Sequence, residues 1–302
     1  MIELWIPVTI AAAFFQNVRS ALQKHLSGRL STLGATYIRF SYACPFAILY
    51  CLGLYGFGGF PIPSVTPIFF LYCLLGGLAQ ILFTFFLLWL FSFRNFAVGT
   101  TFSKTEIIQV AVLGLIILGD TLSLGAAVAI AISMVGLLAL SLGQQKAGWR
   151  NLWAGLTEKP TLIGLASGTF LGASVVFFRG ASLSLGGEGF LMQAAFTLAV
   201  ATVMQTVLMG LYLRVREPRQ LTAVLLHWRP SMAVGIAGMV ASAAWFTAFT
   251  IQNAAYVRAL GQIELVFTFI VSVFFFKEKS NRMEVFGICA IIVGILILLL
   301  AR

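Results

Sequence analysis

The chain has 302 residues, of which 60% are hydrophobic and 9% charged, with 19 Lys and Arg against 9 Asp and Glu. Its mean hydropathy is +1.01. A soluble domain carries about 25% charged residues, so a soluble enzyme, a nucleic-acid-binding protein and a disordered chain are all excluded. An all-α integral membrane protein remains, because the apolar runs exceed the roughly ten residues of a barrel strand and lack its alternation.

One crossing takes about 20 apolar residues, and ten such runs follow in chain order. The first, 4–24, carries Gln16, Asn17 and Arg19, and the second, 33–55, carries Arg39 and a kinking Pro45. The third, 67–92, follows Pro61 and Pro63, opens at Pro67, and holds Gln80 and Thr84. The fourth, 97–118, holds Lys104, Glu106 and Gln109, and the fifth is 121–142. An amphipathic stretch, 146–160, joins the halves as a cytoplasmic linker lying on the lipid surface. The sixth run, 161–179, spaces Gly164, Gly168 and Gly172 for close helix packing. The seventh is 187–213; the eighth, 230–252, opens at Pro230 and places Trp245 mid-span. The ninth, 255–276, carries Arg258, Gln262 and Glu264, and 283–300 is the tenth. Cys44, Cys51, Cys73 and Cys289 lie in apolar runs without metal-ligand spacing, so neither a metal nor a cofactor is expected.

The basic residues sort by connection. Thirteen of the 19 lie beside odd-numbered connections, while the even ones and both termini hold only Arg179 and Arg302. Arg19, Arg39, Lys104 and Arg258 are inside runs. Odd connections are therefore expected in the cytoplasm and both termini outside, in the cell's inner (plasma) membrane.

The halves also align. With Glu106 over Glu264, Asn95 meets Asn253, Asp120 meets Glu278 and Gly136 meets Gly294. Each unit, 1–145 and 161–302, contains five runs, an odd number, so the two repeats must be inverted in the membrane. Such repeats are a recurrent construction of secondary transporters, with the site where the halves meet. The plan resembles the EamA-like branch of the drug/metabolite transporter superfamily. So do the segments GDTLS and KEKSN, leading into helices that end SMVGLLALSL and AIIVGILILLL. The resemblance covers essentially the whole chain and implies a ten-helix transporter. It also implies Pro about fourteen residues before the acidic residue of that connection, where this chain has Glu106 and Glu264.

Acidic residues at mid-membrane cost on the order of 3 kcal/mol and normally face a cavity or a partner. Glu106 and Glu264 are thus candidates for proton coupling or for recognising a positive group, or for an ion pair with Lys104 or Arg258. Gln262, at the repeat position of Lys104, and Gln109, one turn beyond Glu106, are expected to line a cavity or bond between helices. Arg258, nearer the outer surface, is otherwise explained by snorkelling. Asn17, Arg19, Arg39, Gln80 and Trp245 complete the candidate set for substrate or coupling.

These residues describe a secondary transporter of a small polar metabolite, amino-acid-like or zwitterionic, acting by alternating access as an exporter, exchanger or proton-coupled carrier. A flippase for a lipid-linked sugar is the alternative. An intramembrane enzyme is disfavoured by a single Asp and by histidines, His25 and His227, placed in connections. The expected partners are a small-molecule substrate, the lipid bilayer and protons, with no nucleic acid; monomer and homodimer both stay open.

Overall fold

The computed structural model describes residues 3–26, 30–91, 93, 101–144, 158–187, 189–275, 277 and 280–300. Asn95, Glu278 and most of the expected linker lie outside these residues. Among the described residues the chain is helical, without a named strand, and nine helical segments are long and apolar enough to cross a membrane. It is a multi-pass membrane protein. The one expected run missing from those nine is the first. Its helix, α1 (Trp5–Leu26), is 22 residues long, about 33 Å at 1.5 Å per residue, and the polar cluster from Gln16 to Arg19 lowers its hydropathy.

The second run is two helices, α2 (Thr32–Ser41) and α3 (Cys44–Gly56). The break falls just ahead of Pro45, whose missing N–H is harmless in a first turn. The third is α4 (Pro67–Phe91). In the fourth, a short helical piece at 101–103 turns at Lys104 and Thr105 before α5 (Glu106–Leu118). Then come α6 (Leu124–Gln144), α7 (Lys159–Ser184), α8 (Phe190–Arg216), the short α9 (Pro218–Leu226) and α10 (Trp228–Ile251). The ninth run is α11 (Ala254–Gly261), a turn at Gln262, α12 (Ile263–Ile270) and a π-helical turn, Val271–Phe275. The last is α13 (Arg282–Leu300).

Two compact units result. Unit one comprises residues 1–78 and 177–252, and unit two comprises 79–176 and 253–302. In unit one α1 packs along α10, while α8 packs on α2, α3 and α10. Two clasps tie its connections. The backbone of Ser64 bridges that of Gly186, whose N–H donates to the Ser64 carbonyl at 3.1 Å. At the other, Ser31 N–H donates to Gln220 Oε1 at 3.0 Å and Ser31 Oγ donates to Glu217 Oε2 at 2.6 Å. Arg179, expected at a connection, lies inside α7 and donates to the carbonyls of Phe249 and Gln252, the latter at 2.6 Å. It satisfies carbonyls that the end of α10 leaves without helical partners.

In unit two α6 and α13 pack along their lengths, and α5 packs on α11. Small residues set how closely α6 and α13 approach. A Cβ on Gly136 would stand 2.7 Å from the Gly287 carbonyl, and one on Gly294 would stand 2.9 Å from the Ala129 carbonyl. Gly136 and Gly294 are matched residues, and so are Ala129 and Gly287. The two contacts are therefore one contact with the halves exchanged.

The turns preceding α6 and α13 agree as closely. Gly119 closes α5 at φ 69°, and its match Lys277 has φ 52°, the one non-glycine residue at positive φ among the described residues. Ser123 Oγ accepts from Ala126 N–H at 3.1 Å, and its match Asn281 accepts from Glu284 N–H at 2.9 Å. Each caps the following helix and satisfies an amide of its first turn. The segments GDTLS and KEKSN thus each place a left-handed residue first and an N-cap last.

Candidate functional site

The candidate site of unit two is built at the two helix breaks. Glu106 was expected nine residues into a continuous helix; it is instead the first residue of α5, directly after the turn at Lys104 and Thr105. Glu264 lies in the first turn of α12, directly after the turn at Gln262. A carboxylate is favoured at a helix N-terminus, where the amide dipoles point their positive ends. This is how the chain breaks both helices without the proline that the family resemblance implies there.

Of the two cations proposed for Glu106, the partner is Arg258. Its Nη2 donates to Glu106 Oε1. Glu106 is 4% exposed and Arg258 8%, so the pair is buried, and Arg258 does not snorkel. Glu264, half-buried, also interacts electrostatically with Arg258. Arg258 thus pairs with Glu106 and lies within electrostatic range of Glu264.

The amides are arranged around this trio. Gln262, 4% exposed, reaches back toward the Arg258 carbonyl with its Nε2 at 3.5 Å. Gln109 lies one turn beyond Glu106 and directs Nε2 toward Thr105 Oγ1 and the Leu165 carbonyl, each at 3.5 Å. Its Oε1 is buried with no hydrogen-bond partner among the described residues. Gly168 makes room for it, since a Cβ there would stand 2.7 Å from that oxygen, and Gly172 does the same for Val110. The glycine spacing in α7 is thus the close packing read from the sequence. Lys104 is exposed in its turn, and Gln80 is half-buried on α4.

The remaining candidates are in unit one. Trp245, 7% exposed, donates from Nε1 to Gln16 Oε1 at 2.9 Å and stacks on Phe249 with ring centroids 5.5 Å apart. It is a packed, hydrogen-bonded residue between α1 and α10. Arg19 is buried on α1 beside half-buried Asn17, and Arg39 sits in the last turn of α2. The structure brings Glu106, Arg258 and Glu264 together in one unit, and Arg19, Arg39, Gln16 and Trp245 in the other. His25, read as part of a connection, belongs to the last turn of α1.

Residues 159–300 match the model of the EamA-like transporter family, in agreement with the drug/metabolite transporter superfamily. No curated protein matches the chain. The crystal structure of another protein is similar to it with a TM-score of 0.68 at 15% identity, over 98% of this chain and 99% of that one. At that identity the likeness concerns the fold alone.

Proposed function

Because residues 159–300 carry the EamA-like transporter match, we propose that this membrane transporter is a secondary carrier of a small polar metabolite. It moves its solute by alternating access, as an exporter, exchanger or proton-coupled carrier in the inner membrane. The observation that carries the reading is the buried Glu106–Arg258 pair with Glu264 beside it, built at matched breaks in two helices. Interrupted helices at corresponding positions of two repeats are the best pointer to a transporter's binding site. Glu106 holds Arg258 and fixes the site; Glu264 is the carboxylate that exchanges a proton or meets the positive group of the solute. Arginines and glutamates embedded in the same protein suit a zwitterion better than a simple cation.

Ten spans in two inverted repeats, 1–145 and 161–302, underlie this cycle. The exchanged glycine contacts of α6 and α13 and the matched turns ahead of them support the repeat. The clasps support the count. Ser64–Gly186 joins two even-numbered connections and Ser31–Glu217 joins two odd ones, as expected when every intervening run crosses the membrane. The helix α1 is the tenth span, since it packs along the membrane-length α10 and turns Gln16 toward it. Odd connections are then cytoplasmic and the termini outside.

A thermal-shift screen of the detergent-purified protein against amino acids, amines, sugars and nucleotides, followed by proteoliposome counterflow with the best ligand, tests this reading. It predicts stabilisation by an amino-acid-like zwitterion and counterflow of the same solute. Stabilisation by lipid-linked sugars alone would favour the flippase instead, and product formation would favour an enzyme.

A further inference from the structure

In unit one the connection between α8 and α10 is itself a helix, α9, and it concentrates positive charge. Arg214 and Arg216 stand in the last turn of α8, Arg219 in the first turn of α9 and Arg229 in the first turn of α10. All four are exposed, and among the described residues none of them pairs with a carboxylate. The one acid of the stretch, Glu217, accepts from Ser31 Oγ. The connection from α3 to α4, residues 57–66, turns the chain without any charged residue. Arginines are therefore not needed merely to reverse direction.

Packing holds α9 by one face and leaves the other bare. The helices α8 and α10 pack together, and the nine residues of α9 reach about 14 Å between their ends. On the inner face Val224 is buried with Ile38 and Val234, and the Tyr42 hydroxyl donates to the Val224 carbonyl at 3.1 Å. Gln220, one turn earlier, accepts from Ser31 N–H at 3.0 Å. On the outer face Leu225 is 69% exposed and Leu226 75%, with Thr222 and Arg219 one and two turns before them. Trp228 follows, also exposed, with the Arg229 guanidinium 5.4 Å from its ring centroid. Leucines bared beside arginines are poorly placed in water. They suit the boundary of headgroups and acyl chains, where such helices lie with apolar residues buried and guanidinium groups among phosphates. The location agrees, because α8 and α10 are membrane-length and α9 joins their ends.

We propose that α9, with Arg214, Arg216, Arg219 and Arg229, is a docking surface for anionic phospholipid headgroups. The arginines take phosphate oxygens in bidentate hydrogen bonds, while Leu225, Leu226 and Trp228 rest at the acyl boundary. Charge complementarity selects this occupant. A leaflet of anionic lipid supplies the negative charge that the described chain does not place beside these four residues. The surface works without a solute, so it stands or falls apart from the transport reading.

To test this, phosphatidylglycerol or phosphatidylcholine is titrated into the detergent-purified full chain, and bound lipid is counted by native mass spectrometry. The wild type should bind phosphatidylglycerol more tightly, and a parallel nanodisc melting series should show that preference shrinking as salt rises. Apparent association with phosphatidylglycerol should fall about fivefold in Arg219→Gln. In the triple variant Arg214→Gln, Arg216→Gln and Arg219→Gln it should drop to the phosphatidylcholine level. Lysine at the same three positions should keep a weaker preference, because an ammonium holds phosphate as a point charge. Should the triple variant not fold, Arg219→Gln and the salt series decide alone. Equal association of the wild type with both lipids, or an unchanged preference in the folded Gln variants, overturns the proposal. So does tighter binding of a polyglutamate peptide than of phosphatidylglycerol, lost in the same variants, since the surface then serves an acidic protein.

Discussion

The segments 101–144 and 254–300 perform the same local tasks with different residues. Both break a helix before a glutamate, turn through a left-handed residue, cap the next helix and lay it against its counterpart. Where they differ, chemistry follows. Glu106 is buried against Arg258, whereas Glu264 is half-buried and shares that same arginine. The first segment spends a glycine on the left-handed turn, while the second holds a lysine there. One backbone plan has thus been filled once with a buried acid and once with a half-buried one.

The largest effect should separate the two acids. Glu106→Gln leaves Arg258 without its buried partner and should cost on the order of 3–5 kcal/mol, read as a lower melting temperature in nanodiscs. Glu264→Gln at a half-buried position should cost under about 1 kcal/mol on the scale of exposed pairs. Equal losses would erase the distinction. Next is the glycine contact: Gly136→Val or Gly287→Val places a side chain against backbone 2.6–2.7 Å away and should cost about 1–3 kcal/mol, with matched losses in the two variants. Smaller again are the caps. Ser123→Ala and Asn281→Ala should each cost about 1 kcal/mol. Asn281 should lose more, because its Nδ2 also donates to the Gly143 carbonyl at 2.8 Å. The smallest expected effect reverses sign: Lys277→Gly should stabilise by a few tenths to about 1 kcal/mol by relieving a left-handed lysine, and Gly119→Ala should destabilise by a similar amount.

Much of this was legible in the sequence. Helix positions followed from apolar run length, and the register of Glu106 on Glu264 aligned the segments GDTLS and KEKSN, in which the structure displays matching turns and caps. The breaks at Lys104–Thr105 and Gln262 were not legible. They carry no proline, and a one- or two-residue interruption leaves no mark on an apolar run that lacks a polar face. The Glu106–Arg258 pair joins residues 152 apart, so spacing could offer Arg258 only as one of two partners. Arg179 was misplaced because its charge was read as topology, whereas its donors end α10. The signal was present in the run of helix-forming residues that carries α7 on to Ser184.

The central claim is that Glu264, rather than its buried match Glu106, couples transport. It is tested most directly in proteoliposomes, using the zwitterionic solute that stabilises the protein most. Wild-type protein should accumulate that solute when a pH gradient is imposed. Glu264→Gln should still exchange it across the membrane but no longer accumulate it. Accumulation by Glu264→Gln at the wild-type level would contradict the account.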